Sequence, residues 1–207
     1  MVDARGLAGD RVWSVRDPDG KLGSGKSTRR FRRMDGLLDL GATYDGDTPL
    51  VSFPDGRVVR GDDPGVHGAL SRHLGRDVTL AHEDEVSHFD EGPVHLVTTA
   101  ALAALAQAHG ATVDWRHTRA NLLVTWPGSG LVEHDWAGVA LGVGPEVVLR
   151  VVDVMPRCVM VTSAQRDVPA DPTLLQTVSA AAGGDLGVFA DVERPGRVTV
   201  GDDVRLL

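Results

Sequence analysis

Turn-forming residues interrupt this chain so often that most of its regular elements should be short. Its 207 residues include 25 glycines and 11 prolines, and only short apolar stretches lie between them. Glycine weakens the interior of a helix or strand, and proline removes a backbone donor, so both residue types favour turns. The pattern therefore predicts many short strands joined by turns, with few helices.

Three segments carry both a helix start and a glycine stop. They are residues 63–75, where Asp63 precedes Pro64, residues 98–110, with Thr98 or Thr99 as the cap, and residues 171–184, where Asp171 precedes Pro172. Most other apolar stretches have the length of strands, and turns of the "DPDG" or "PDGR" kind separate several of them. The predicted strands are residues 11–15, 93–97, 120–126, 136–144, 147–155, 158–162, 187–192, 196–201 and 203–207.

The order of these elements predicts the fold class. Strands dominate, and the helices do not alternate with them regularly, which disfavours a doubly wound parallel sheet. We therefore expect a mostly β protein with flanking helices (α+β) and a closed or nearly closed β architecture. We expect one unit over residues 1–207.

Composition excludes several classes of function. The formal charge of −8 disfavours nucleic acid or an anionic membrane as the main partner. The single cysteine excludes a disulfide framework and a multi-cysteine zinc site. The longest apolar runs fall well short of the ~20 residues that span a bilayer, and the first residues do not resemble a signal peptide. We expect a soluble, cytoplasmic protein.

The stretch "GKLGSGKS", residues 20–27, matches the phosphate-loop pattern of nucleotide-binding enzymes. A functional phosphate loop needs a buried strand leading into the first glycine and a helix starting at the Lys-Ser pair. Here the apolar strand ends near Val15, a turn sequence follows, and the segment after Ser27 stops at Gly36. We therefore interpret the match as a glycine-rich hairpin turn.

Two segments could carry chemistry. Cys158 lies beside Arg157 at the start of a predicted strand, where it could be a reactive thiolate, a soft metal ligand or a small core residue. Arg119 and Asn121 stand at alternate positions, so on a strand both would face one side and could bind a phosphate or a heterocycle edge, although a surface ion pair is equally consistent. The histidine-containing segment at residues 82–88 lacks zinc-hydrolase spacing and is predicted to be a solvated acidic loop.

Several motifs together resemble the MOSC domain family, named after the C-terminal domain of molybdenum cofactor sulfurase. They are "RVWSV", "GPVHLVTTAALAAL", "RANLLV", "MPRCVMVT" and "GRVTVGDDVRLL", in the order and approximate spacing of that family. The family includes the mitochondrial amidoxime-reducing component and its bacterial relatives. The resemblance implies a barrel-like β domain, with an N-terminal barrel-like part at about residues 1–90 and the core domain at about residues 91–207.

The resemblance also implies a site for a pyranopterin molybdenum cofactor. Cys158 corresponds to the metal ligand, with Pro156 and Arg157 lining the pterin, and Arg119 and Asn121 correspond to the family's cofactor-contacting pair. Further positions that the resemblance places near the cofactor are Arg11 at its phosphate end, Lys26 in a basic hairpin turn, the loop residues Gly92 and Pro93, and the aromatic Phe189.

This likeness implies an oxidoreductase that reduces N-hydroxylated or N-oxide small molecules, with electrons from a separate flavin or iron–sulfur reductase. Two alternatives stay open: sulfur transfer through a Cys158 persulfide, and binding of a small ligand without catalysis. The sequence departs from the family at Ala120, where relatives have proline, and in its hairpin turn. It also begins after the family's first N-terminal strand, so we expect part of the barrel to be missing and its exposed edge to be covered in a homodimer.

Overall fold

The computed structural model describes all 207 residues, which form fifteen strands and three α-helices. The helices are α1 (Val66–Leu74), α2 (Thr99–His109) and α3 (Leu174–Ala182). The strands are β1 (Val2–Asp3), β2 (Gly6–Leu7), β3 (Trp13–Arg16), β4 (Leu22–Ser24), β5 (Phe31–Arg33), β6 (Gly41–Asp45), β7 (Thr48–Ser52), β8 (Val58–Arg60), β9 (Thr79–His82), β10 (Val94–Thr98), β11 (Leu122–Val124), β12 (Ala140–Val143), β13 (Val147–Pro156), β14 (Asp185–Arg194) and β15 (Val204–Leu206).

The chain forms two compact units. The first unit contains residues 1–8, 89–162 and 171–207, and the second contains residues 9–88 and 163–170. In the first unit six strands form one sheet in the order β11-β10-β14-β13-β12-β15. Only the β10–β11 pair is parallel. Three irregularities in the β13–β14 register bend this pair, and the sheet curls into an open half-barrel.

Both faces of this sheet are covered by apolar groups. One face carries a core that includes Leu96, Leu141, Leu149 and Val188. The other face packs against α2 and α3 through a second core of buried residues: Val97, Ala101, Leu105, Val161, Leu174, Val178 and Leu186. Because neighbouring residues of β10 point to opposite faces, this strand contributes to both cores.

Helix α2 begins and ends as its sequence indicates. The Thr98 side chain accepts a hydrogen bond of 3.0 Å from the Ala101 backbone N–H, which satisfies one of the free donors of the first turn. Gly110 ends the helix with φ of 76°, a left-handed conformation that suits glycine. The alanine- and leucine-rich interior supplies the intrinsic helix preference.

The second unit consists of two small sheets and α1. Its sheets have the orders β5-β4-β3-β9 and β6-β7-β8, and its core includes Val15, Phe53, Val66 and Leu70. Residues 20–27 contain β4 and its flanking turns, and the next element is the strand β5 rather than a helix. The segment therefore lacks the helix that a phosphate loop requires.

The predicted fold class and all three predicted helices are confirmed. Two predicted strands are wrong: the structure has a 3-10 turn at Val159–Thr162 and no strand at residues 196–201. None of the helices is long and apolar enough to cross a membrane.

Candidate functional site

Cys158 lies where the long strand β13 leaves the sheet. After Pro156, the Arg157 backbone N–H donates to the Gly184 carbonyl at 2.8 Å, and the chain then turns. The Cys158 carbonyl accepts a bond of 3.2 Å from the Val161 N–H, which closes the 3-10 turn. Cys158 is half-buried and free of any disulfide. A partly exposed thiol at the end of a strand is therefore the first element of the site.

The Arg157 side chain is partly buried next to Cys158 in the chain, with its Nε fully enclosed, and it has no carboxylate partner. Its Nη1 lies 3.3 Å from Nε2 of His95, and its Nη2 donates to the Thr118 carbonyl. Its Nε is buried and has no hydrogen-bond partner. Burial lowers the pKa of Arg157 to about 10, with a further lowering by Arg119 and an opposing effect of Cys158. The site therefore holds a positive charge that no carboxylate of the chain balances.

Arg119 adds a second positive charge, from a backbone position that the sequence did not indicate. It follows the 3-10 turn Trp115–Thr118 in a left-handed conformation, with φ of 55°. Arg119 is exposed, and the strand β11 begins only at Leu122. The prediction that Arg119 and Asn121 alternate on one strand is therefore wrong. Left-handed backbone is unfavourable for residues other than glycine, so the surrounding structure must hold Arg119 in place.

Asn121 is fixed by two hydrogen bonds to one residue of β10. Its side-chain oxygen accepts from the His95 backbone N–H at 2.9 Å, and its own N–H donates to the His95 carbonyl at 2.8 Å. His95 is buried, with 4% of its surface exposed. No sequence pattern predicts a role for this histidine. The signal that could have identified it is a polar residue inside the apolar strand "PVHLV".

Gly92, Pro93 and Phe189 surround the same end of β10. Phe189 in β14 lies opposite His95 in the register. A Cβ atom on Gly92 would come within 2.8 Å of Cδ2 of the Phe189 ring, so only glycine allows this approach. Pro93 directly precedes β10, and Pro156 is exposed at the end of β13. Gly92 therefore packs against Phe189, Phe189 lies opposite His95 in the sheet, and the His95 ring contacts the Arg157 guanidinium.

Arg11 and Lys26 belong to the second unit. Arg11 has φ of 55°, forms an ion pair of 3.1 Å with Asp10, and its carbonyl accepts from Nδ1 of His88 at 2.8 Å. The Lys26 ammonium lies 5.4 Å from the centre of the Phe31 ring. The roles predicted for Arg11 and Lys26 in cofactor binding stay predictions.

The predicted acidic loop at residues 82–88 is only partly solvated. Its last residue, His88, is buried, with 5% of its surface exposed. Its Nε2 lies 2.9 Å from Nη2 of Arg16. Because Nδ1 donates to the Arg11 carbonyl, Nε2 is the acceptor for this arginine. The loop therefore ends in a hydrogen-bonded histidine that fixes it to β3.

The donor set around Cys158 fits an anionic group that brings its own metal ligands. No group of three or more His, Cys, Asp or Glu side chains could hold a metal ion. A thiol is a soft ligand, which suits molybdenum, and the two arginines suit an anion. The unpartnered Nε of Arg157 offers such a group a buried donor. A metal at Cys158 would thus receive its remaining ligands from the bound group.

Comparisons with known proteins agree with the sequence resemblance. A sequence profile of the MOSC domain matches residues 67–205, a range that includes Cys158 and excludes Arg11 and Lys26. The crystal structure of the YuaD protein from Bacillus subtilis is similar at 21% sequence identity, over 60% of this chain and 67% of that chain, with a TM-score of 0.46. A search of curated proteins finds no match.

Proposed function

We propose, because the chain belongs to the MOSC domain family, that it binds a molybdenum pterin cofactor at Cys158 and reduces N-hydroxylated or N-oxide small molecules. MOSC domains are associated with binding of the molybdenum cofactor. The observation that carries the proposal is the partly buried Arg157 guanidinium, which has an enclosed Nε without a partner, no carboxylate partner, and Cys158 and Arg119 as charged neighbours.

An isolated buried charge is strongly unfavourable. Buried arginines are therefore usually paired with carboxylates or anionic ligands. Arg157 has two neutral acceptors, a histidine nitrogen and a backbone carbonyl, and a second arginine, Arg119, is close enough to lower its pKa further. Such an arrangement is stabilised when an anion binds between the two arginines. The negatively charged pterin cofactor meets this requirement.

The residues of the site would divide the binding between them. Cys158 would ligate the metal, while Arg157 and Arg119 would bind the anionic part of the pterin through charge-assisted hydrogen bonds. Asn121 holds the segment that carries Arg119 against β10. When bound, the cofactor supplies two-electron oxygen-atom transfer. Electrons would come from a separate flavin or iron–sulfur protein, because one cysteine cannot hold a cysteine-ligated cluster.

The experiment that tests this function is metal and pterin analysis of protein purified anaerobically from a host that makes the cofactor. We expect close to one molybdenum per chain in the wild type and none in Cys158→Ala. Arg150→Met is a matched control, because Arg150 also lies on β13 but is partly exposed and pairs with the carboxylate of Glu193. If the folded wild type contains neither metal nor pterin, the proposal is wrong.

The partial exposure of Cys158 favours sulfur transfer as a second candidate function. In this reaction the Cys158 thiolate accepts the outer sulfur of a donor persulfide, which forms the Cys158 persulfide and releases the donor as a thiol. Mass spectrometry after incubation with a small-molecule persulfide would show a gain of one sulfur, absent in Cys158→Ala. A chain that takes up neither molybdenum nor sulfur would be a binding protein without catalysis.

A further inference from the structure

We propose that His95 is a positioning residue: its Nε2 holds the Arg157 guanidinium in the orientation in which this cation faces Cys158. The inference rests on the proposed anion-binding role of this site, but it does not require molybdenum. It assigns a role to a buried histidine that no sequence motif had singled out.

The fold provides a dedicated space for the His95 ring. Gly187 lies in β14 with φ of 75°, and a Cβ atom there would come within 2.8 Å of His95 Nε2 and 2.5 Å of the Leu96 carbonyl oxygen. Any other residue would therefore displace the ring or the strand. The alternation of side chains between the two faces of β14 is also interrupted at Gly187. Leu186 packs in the core on the helix side of the sheet, whereas Val188, two residues later, packs in the core on the opposite side. Gly187 thus creates the slot that the imidazole fills.

The contact with Arg157 also fixes the position of the proton on the imidazole. A guanidinium has only donors, so His95 Nε2 must accept the hydrogen bond from Arg157 at 3.3 Å. The ring is therefore neutral, with its proton on Nδ1. In this state the ring anchors one side of the guanidinium, and the Thr118 carbonyl anchors the other. Two fixed acceptors leave the cation a single orientation, which a flexible side chain would otherwise lack.

His95 also holds the segment that carries Arg119. Its backbone N–H and carbonyl bind Asn121, which fixes the segment directly after Arg119. The side chain of one residue therefore positions Arg157, and its main chain positions the loop with Arg119. A side-chain substitution separates these effects, because it leaves the main-chain bonds in place.

The test uses the reactivity of the single cysteine in metal-free protein. Two disulfide reagents are compared: the dianion 5,5′-dithiobis(2-nitrobenzoate) and the neutral 4,4′-dithiodipyridine. Both react with the same thiolate, so the ratio of their rates cancels the thiolate fraction and reports the positive charge near the sulfur. If the Arg157 charge moves away from the sulfur, the rate with the dianion divided by the rate with the neutral reagent should fall about fivefold. This factor corresponds to ~1 kcal/mol, the Coulomb energy of two unit charges ~4 Å apart in water.

Three variants distinguish the hydrogen bond from simple packing. In His95→Gln the side-chain amide oxygen reaches the position of Nε2, so we expect the wild-type ratio. In His95→Asn the amide reaches only the position of Nδ1, and in His95→Leu there is no acceptor, so both should show the fivefold loss. Gly187→Ala, which closes the slot, should resemble His95→Asn. The control Arg150→Met removes a charge that Glu193 already balances and should leave the ratio unchanged.

The outcomes separate this inference from the proposed function. Equal ratios in His95→Gln and His95→Asn, whether high or low, would overturn the role of Nε2. If His95→Leu does not fold, the Gln and Asn pair still decides, with thermal unfolding as the check on structure. A protein without molybdenum that shows the expected ratios would disprove the cofactor but retain the positioning role of His95.

Discussion

Replacing Arg157 by methionine should leave the stability of the protein without ligand nearly unchanged, although it removes a residue of the proposed site and two hydrogen bonds. Methionine has a similar length and fills the same space without a charge. The loss of hydrogen bonds is offset because the guanidinium is desolvated and has no carboxylate partner. The replacement of buried charged groups by apolar side chains of similar volume is often neutral or stabilising for this reason.

The magnitude follows from the effect of burial on Arg157. The fall of its pKa from the ordinary arginine range to about 10 disfavours the charged form by roughly 3 kcal/mol, at ~1.4 kcal/mol for each pKa unit. The hydrogen bonds to His95 and to the Thr118 carbonyl are lost in the variant, at roughly 1.5 kcal/mol each because the donor is charged. The two effects cancel to within about 1 kcal/mol, so the free energy of unfolding measured by urea denaturation at pH 7 should be nearly unchanged.

The pH dependence gives an independent check with a fixed sign. Because the folded state lowers the pKa of Arg157, the unfolded chain binds more protons between pH 10 and the ordinary arginine range. The stability of the wild type relative to Arg157→Met should consequently rise as the pH increases through about 10. Arg150→Met should not show this trend. A loss of 2 kcal/mol or more in Arg157→Met at pH 7 would refute the reasoning and make Arg157 a structural residue.

Three further perturbations test other parts of the structure. Thr98→Ala should lower the free energy of unfolding by about 2–4 kcal/mol, because it removes the α2 cap and the 2.7 Å hydrogen bond to the fully buried Glu133. The control Thr98→Ser keeps the hydroxyl and should retain most of the stability in the same urea titration. The hydrogen bond from Arg16 lowers the pKa of Asp84 to about 2. The wild type should therefore be more stable than Asp84→Asn above about pH 4, and this difference should disappear as the pH falls to 2. A difference in Tm between the two proteins that stays constant over this range would contradict the prediction. Millimolar MgATP should leave the Tm unchanged, because the segment 20–27 forms a strand and turns; a shift of several degrees would restore the phosphate-loop interpretation.

The sequence predicts the helices of this protein better than its strands. A helix start such as Thr98 and a stop such as Gly110 act within a few residues, so local chemistry is enough to place α2. Residues 158–162 have the apolar composition of a strand, yet they form a 3-10 turn. The reason is distant in sequence, since the Arg157 N–H binds the Gly184 carbonyl and the chain leaves the sheet there. Such long-range hydrogen bonds leave no local pattern.

The same distinction explains what the sequence could indicate about the site. The chemistry of Cys158 and Arg157 is visible in their adjacent side chains. The absence of a carboxylate for Arg157, which carries the functional proposal, depends on every element packed around it and cannot be read from spacing. The importance of His95 depends in turn on Gly187, ninety-two positions further along the chain, which makes room for its ring. A motif therefore suggests the reactive group, and the fold decides which charges and acceptors surround it. For this reason the comparison of His95→Gln with His95→Asn tests the site more sharply than Cys158→Ala does. A loss of activity in Cys158→Ala is expected for any function that uses the thiol.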